Sequence, residues 1–150
     1  MPIRSLASAD VDEWLRMRAT LWPDAPLDDL RAETPAYLGA DGPRDIAAFV
    51  APRADGRGLE GFIELSLRNI ADGCTTSPVG YIEGWYVDGD ARRRGIGRAL
   101  VATGESWARE KGCTEIASDT WLTATDSQRA HAALGYKEVD RVVLFMKRLR

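Results

Sequence analysis

Apolar residues recur along the chain at two spacings, every third or fourth position and every second one, and where the spacing changes the elements change. Pro2 to Leu6 reads as a short strand. Val11, Trp14, Leu15, Met17 and Leu21 then mark one face of a helix, which Ser8 or Asp10 can cap. Trp22-Pro23-Asp24-Ala25-Pro26 ends it, because proline cannot continue a helix. A second helix is predicted from Leu27 to Leu38, interrupted or ended near Thr34-Pro35 and closed by Gly39. Ile46–Ala51 and Leu59–Arg68 read as strands of a hairpin joined by the Pro52–Gly58 turn. After a polar loop, Asn69–Pro78, an apolar and aromatic run from Val79 to Val87 predicts another strand. The pattern then predicts a helix over Gly95–Lys111 stopped by Gly112, a strand over Thr114–Asp119, and a helix over Asp126–Leu134 ended by Gly135. Val139–Lys147 reads as the last strand, with Tyr136-Lys137 leading into it.

The order β-α-α-β-β-β-α-β-α-β is mixed α/β, and 150 residues without repeat or linker suit one domain, residues 1–150. Hydrophobic content of 45% and charged content of 29% are those of a soluble globular protein. No apolar run approaches the ~18 residues of a membrane span, and the opening residues lack a signal-type apolar stretch. The two cysteines, Cys74 and Cys113, lie far apart without metal-ligand spacing, so the expected setting is reduced and cytoplasmic. A single histidine and no Cys/His cluster argue against a structural zinc site.

Chemistry concentrates between Val87 and Leu100, at a strand-to-helix turn. A helix N-terminus leaves N–H groups unpaired and carries partial positive charge, so it attracts phosphate. Gly95 and Gly97 allow close backbone approach, and Arg92, Arg93, Arg94 and Arg98 surround the turn with positive charge. These features suit a pyrophosphate. No Gly-Lys-Ser/Thr closes the loop as in a Walker P-loop, and Arg93 stands where a Rossmann fingerprint needs its first glycine. Net charge is nevertheless −3, so acids elsewhere outweigh these arginines, which fits a cationic substrate better than nucleic acid.

Arg92, Gly95 and Gly97 match Gln/Arg-x-x-Gly-x-Gly/Ala, so the segment resembles the acyl-CoA pyrophosphate loop of the GNAT acetyltransferase superfamily. Downstream, Ala133-Leu134-Gly135-Tyr136 resembles that superfamily's Leu-Gly-Phe/Tyr ending. The resemblance implies an α/β (α+β) GNAT fold: a mixed, mostly antiparallel central sheet, helices on both faces, and splayed central strands binding acyl-CoA. Further pieces narrow it. Leu21-Trp22-Pro23, Gly73-Cys74 with Ser77-Pro78, Glu83-Gly84, Ala117-Ser118-Asp119-Thr120 and Arg141-Val142-Val143 are similar to segments of aminoglycoside 6′-N-acetyltransferases. Together they span nearly the whole chain.

Acetyl transfer to an amine needs a neutral nucleophile, and alkyl ammonium groups titrate near lysine-like values, so a carboxylate must accept the proton directly or through water. Glu83, inside the central strand, and Asp119, at the end of the next, are the candidates. Their alternative roles are an ion pair with an arginine on a neighbouring strand for Glu83, and capping of the following turn for Asp119. By resemblance, Trp22, Glu83, Asp119 and Asp140 fall on substrate-contacting positions. Trp22 can offer its ring to a sugar face or an ammonium group, or pack in the core. Asp140 can equally be a solvated strand residue, and Asp72 and Glu64 are weaker acidic candidates.

Acetyl-CoA, the expected co-substrate, should lie along Trp85, Tyr86 and Val87, its pantetheine arm pairing like an added strand. The Val87 N–H can hold the thioester carbonyl and its developing oxyanion. Arg92, Arg93, Arg94, Gly95, Ile96, Gly97 and Arg98 then hold the pyrophosphate. No metal is expected. Neither cysteine has a nucleophile's context, so direct transfer in a ternary complex is predicted. Three positions depart from the family pattern. His131 replaces a tyrosine that many GNAT enzymes use to protonate the leaving thiolate, Ala124 replaces a CoA-contacting asparagine, and Asn69-Ile70-Ala71-Asp72 lacks a substrate-loop tyrosine. Two other readings stay open: a GNAT enzyme for a peptide or another small amine, and a non-catalytic acyl-CoA-binding module. A homodimer is expected, with Arg141–Lys147 contributing, and neither membrane nor nucleic acid as partner.

Overall fold

A computed structural model describes residues 2–38 and 45–150, which leaves Gly39, the expected stop of the second helix, outside the described residues. Five strands form one sheet in chain order: β1 (Arg4–Ser5), β2 (Ile46–Pro52), β3 (Leu59–Arg68), β4 (Val79–Val87) and β5 (Ile116–Ser118). The first four are antiparallel neighbours, and β5 joins β4 in parallel. A parallel neighbour needs a crossover, and helix α4 (Ile96–Glu110) supplies it. The remaining helices are α1 (Val11–Leu21), α2 (Leu27–Ala32), α3 (Thr34–Leu38) and α5 (Thr125–Ala133).

Alternation along β3 divides the core. Phe62 points into a cluster with Trp14, Met17 and Leu30 beneath α1 and α2, whereas Ile63 and Leu65 meet Leu100, Val101 and Trp107 of α4 on the other face. Burying a side chain such as Phe62 or Leu65 contributes about 1.5–3 kcal/mol. Gly104 lets α4 approach closely, because a Cβ there would stand 2.8 Å from Leu65. Helices therefore cover both faces of a mostly antiparallel sheet. No helix among the described residues is long and apolar enough to cross a membrane.

The Leu27–Leu38 helix is interrupted as expected: it is two short helices with Glu33 between them, and Pro35 sits in the first turn of the second, where its missing N–H costs nothing. Two expectations need correction. The strand expected over Thr114–Asp119 pairs only at Ile116–Ser118. No strand forms over Val139–Lys147, where Leu144 is 85% and Phe145 93% exposed. The apolar pattern there is strand-like, but a strand exists only with a ladder partner, and this segment has none in the sheet.

Candidate active site

The site begins where two strands part. Ile82 opposite Ser118 is the last β4–β5 rung, so one edge of β4 from Glu83 to Val87 is open. On its other edge β4 stays paired with β3 as far as Gly61 opposite Val87. In an antiparallel ladder successive residues point their N–H groups to opposite sides. The Asp88 amide donates to the Glu60 carbonyl on the β3 side at 2.8 Å, so the Val87 N–H and C=O face the open edge. Arg92 Nε donates to that Val87 carbonyl at 3.0 Å, and the amide beside it remains directed into the groove.

The turn that follows has the form expected of an anion site. Gly95 caps α4 in the left-handed region at φ 81°, and Arg93 is left-handed too, at φ 65°. No side chain caps the helix, and the first helical bond runs from Ala99 N to Gly95 O, so the amides of Ile96, Gly97 and Arg98 lie ahead of it. Gly95 is required for its conformation and not for space, since a Cβ there would touch nothing within 4 Å. At Gly97 a Cβ would come within 3.2 Å of the Trp85 ring. The Trp85 indole Nε1 is buried beside this turn without a hydrogen-bond partner. Arg92, Arg93, Arg94 and Arg98 are all exposed, and Arg94 is tethered to the buried Glu60 at 2.7 Å.

Along the same strand lies an acidic groove lined by Trp22, Glu83, Gly84, Trp85, Asp119 and His131 among others. The β3–β4 register slips between Glu64 and Leu65, making Glu83 the extra residue of a β-bulge without a partner on β3. Its carboxylate accepts from Ser66 Oγ at 2.5 Å and is paired with Arg68 of β3 at 2.8 Å, which is the ion pair foreseen as its alternative role. Asp119 does not cap a turn. It accepts a short hydrogen bond from the Tyr81 hydroxyl. Burial, and then that bond, push the Tyr81 phenol well above its ordinary range, so it stays protonated and donating. The Arg68 guanidinium lies 3.5 Å from the Tyr81 ring centroid, which ties both acids into one cluster.

Trp22 packs against Phe62 at 6.4 Å between centroids, as its core role foresaw, and it also lines the groove. Gly84 admits it, because a Cβ there would stand 2.7 Å from the Trp22 ring. Beneath it the buried Arg18 guanidinium sits 5.1 Å from the Trp22 centroid and is held by Glu64, which also accepts from Trp14 Nε1. Glu64 is thereby committed to the interior. Asp72 is an exposed loop residue, and Asp140 stands on the exposed segment after Tyr136, outside the groove lining. His131 lies inside the groove: Nδ1 is 2.7 Å from the Ser127 carbonyl and Nε2 2.8 Å from Ser118 Oγ. Burial pushes both cysteine thiols up, away from a nucleophilic thiolate. Sequence reasoning passed over Tyr81 and Arg68, and named Ser118 only as part of a resembling segment. Tyr81 stands two residues before Glu83 on the same strand, the only signal in the chain that pointed to it.

Residues 9–136 match the acetyltransferase (GNAT) family. The chain is 44% identical over 147 residues to an aminoglycoside N(6′)-acetyltransferase type 1 of Klebsiella aerogenes, covering 98% of this chain and 96% of that protein. It is 43% identical to the protein of that name from Serratia marcescens, over 93% of this chain and 94% of the relative. Among solved structures, AAC(6′)-Iy in complex with the bisubstrate analog CoA-S-monomethyl-acetylneamine superposes with a TM-score of 0.88 at 38% identity, over 99% and 98% of the two chains. Apo AAC(6′)-IG from Acinetobacter haemolyticus superposes with a TM-score of 0.87 at 32% identity over 100% of both.

Proposed function

The chain belongs to the acetyltransferase (GNAT) family, and from that premise we propose that it transfers an acetyl group from acetyl-CoA to the 6′-amine of aminoglycoside antibiotics, conferring resistance. One observation carries the reading. A single strand, β4, offers an open backbone edge running to an arginine-ringed helix start, and on the same stretch it borders a groove containing two carboxylates. Acetyl-CoA fits the first part: the uncapped amides of α4 and Arg92–Arg98 suit its pyrophosphate, and the open edge at Trp85, Tyr86 and Val87 suits its pantetheine arm. The orphaned Trp85 Nε1 is a further donor awaiting a partner there.

On this reading Asp119 accepts the proton that frees the amine, with Tyr81 fixing the carboxylate. Glu83 takes up ammonium groups of the acceptor and shares the proton-accepting role, while Trp22 lies against a sugar ring. Asp140 reaches the same cationic acceptor from the segment after Tyr136. The Val87 N–H polarises the thioester carbonyl, and attack is direct within a ternary complex. We take the chain to act as one domain, in the cytoplasm, as a homodimer to which Arg141–Lys147 contribute, without metal, nucleic acid or membrane. The exposure of Val143, Leu144 and Phe145 supports that pairing, because a segment so apolar gains by being covered.

Acetyl-CoA turnover measured in parallel with kanamycin, tobramycin, spermidine and a lysine peptide tests the reading. Acetylation of the 6′-amine of the antibiotics is expected. Turnover confined to spermidine or the peptide moves the enzyme to another amine, and acetyl-CoA binding without any turnover makes the chain a binding module. Sedimentation at micromolar concentration should give a dimer.

A further inference from the structure

Ser118 is the last β5 residue paired with β4, so it stands where the two strands part, and its hydroxyl is held by the one histidine of the chain. The protonation of that histidine follows from its partners. The Ser127 carbonyl can only accept, so Nδ1, 2.7 Å away, carries the hydrogen. Nε2 is therefore bare, and at 2.8 Å it accepts from the Ser118 hydroxyl. The ring is clamped edge-on between Trp85, at 5.2 Å between centroids, and Tyr136, at 5.9 Å. Ser118 and His131 line the same groove as Asp119. An imidazole fixed in one tautomer, with its basic nitrogen on a hydroxyl that borders a reaction groove, has the form of a proton relay.

Building on the acetyl transfer proposed above, we propose that Ser118 and His131 carry the second proton of the reaction from the attacking amine to the departing sulfur. Asp119 removes one proton when the ammonium becomes an amine. As the amine nitrogen bonds to the thioester carbon it must lose another. Ser118 Oγ takes that proton while its own passes to His131 Nε2, and the imidazolium formed keeps its Nδ1–H on the Ser127 carbonyl. When the C–S bond breaks, its electron pair goes to sulfur, and the proton returns from Nε2 through Ser118 to the thiolate. The amide and the free thiol leave, and His131 is neutral again. No further reactant is needed.

The titratable groups sharing the groove or packed on the ring are Glu83, Asp119 and Tyr136, the last tied through its hydroxyl to Glu105 at 2.8 Å. Their charges must be held constant in any pH comparison, so the test combines substitution with direct observation of the imidazole. Ser118→Ala and His131→Phe, singly and together, should each lower kcat by about a hundredfold, the low end for general acid–base groups. The KM values for acetyl-CoA and kanamycin should change less than threefold. The double variant should be no slower than the slower single one, as for groups acting as a unit. Because His131 is the only histidine, its nitrogen-15 resonances need no assignment. They should show the Nδ1–H tautomer in the wild type. Active wild type with variants within threefold of it, multiplicative losses in the double variant, or an Nε2–H tautomer would each overturn the relay. If wild type modifies no aminoglycoside, the acceptor assignment fails and the relay falls with it. Should His131→Phe not fold, Ser118→Ala and the resonance spectrum still decide.

Discussion

The two sites we propose along β4, one for the acetyl donor and one for the acceptor, are built on opposite plans. The donor half is mostly backbone: an open strand edge, three uncapped amides and a left-handed glycine, with arginines exposed around them. The acceptor half is side chain throughout, and both of its carboxylates already have partners inside the molecule, Arg68 and Ser66 for Glu83 and Tyr81 for Asp119. A site made of amides waits with its charge unanswered, and the ligand completes it. A site made of acids cannot be left so. Like charges brought together without counter-charge repel, so the fold supplies its own donors, and on the function we propose an amine acceptor replaces some of them.

That contrast can be broken in several ways, the strongest at Asp119. Asp119→Asn keeps the shape and a hydrogen-bond acceptor for Tyr81 but removes the base, so turnover should fall by about 10²–10⁴-fold. Calorimetry should find acetyl-CoA affinity unchanged, and unaltered kinetics would remove Asp119 from the chemistry. Next comes Gly95→Val. A branched residue at φ 81° costs on the order of 1–2 kcal/mol, so acetyl-CoA should bind about tenfold more weakly while KM for the aminoglycoside holds. Equal damage to both constants would mean the halves are not separable.

A smaller effect is expected at Arg68. Arg68→Gln frees Glu83, and because exposed ion pairs are worth about 0.2–1 kcal/mol, KM for the aminoglycoside should fall no more than a few-fold. A rise would make Arg68 itself a substrate contact. The smallest effect lies outside both halves. The Arg4 hydrogen bond, and with it the Ala7 amide, hold the Asp10 carboxyl below the ordinary carboxylate range against its burial. Its folded value lies below its unfolded one, so its stabilisation is complete above the ordinary range and is lost as pH falls through the lowered value. Asp10→Asn should lower Tm at neutral pH, flatten the fall of Tm at the acid end, and leave kinetics at neutral pH alone.

The same division decides what could be read from residues in order. The loop assigned to the donor is contiguous, so Arg92, Gly95 and Gly97 announce it within a few positions, although Gly95 serves by its left-handed conformation and not by the close approach expected of it. Glu83 and Asp119 were legible as candidates. An arginine partner was foreseen for Glu83, but which arginine was not, and Tyr81 was not foreseen for Asp119. Tyr81 lies 38 residues from Asp119 and Arg68 lies 15 from Glu83, and the bulge that sets Glu83 apart depends on how two strands fall into register. The helical and strand periods located β2, β3, β4, α1 and α4 closely, because each is packed against facing elements, the helices along one side and the strands on both. They misplaced Val139–Lys147 for the converse reason: its pattern specifies a strand, but pairing depends on a neighbour that residue order does not name.

Arg68 leaves one further mark on how the groove handles its guest. With a guanidinium already seated between Glu83 and the Tyr81 ring, occupancy by the amine of the proposed substrate would amount to swapping counter-ions, as on a charged resin. Such an exchanger favours molecules carrying several ammonium groups over those with one, and added salt erodes that preference by helping monovalent cations compete.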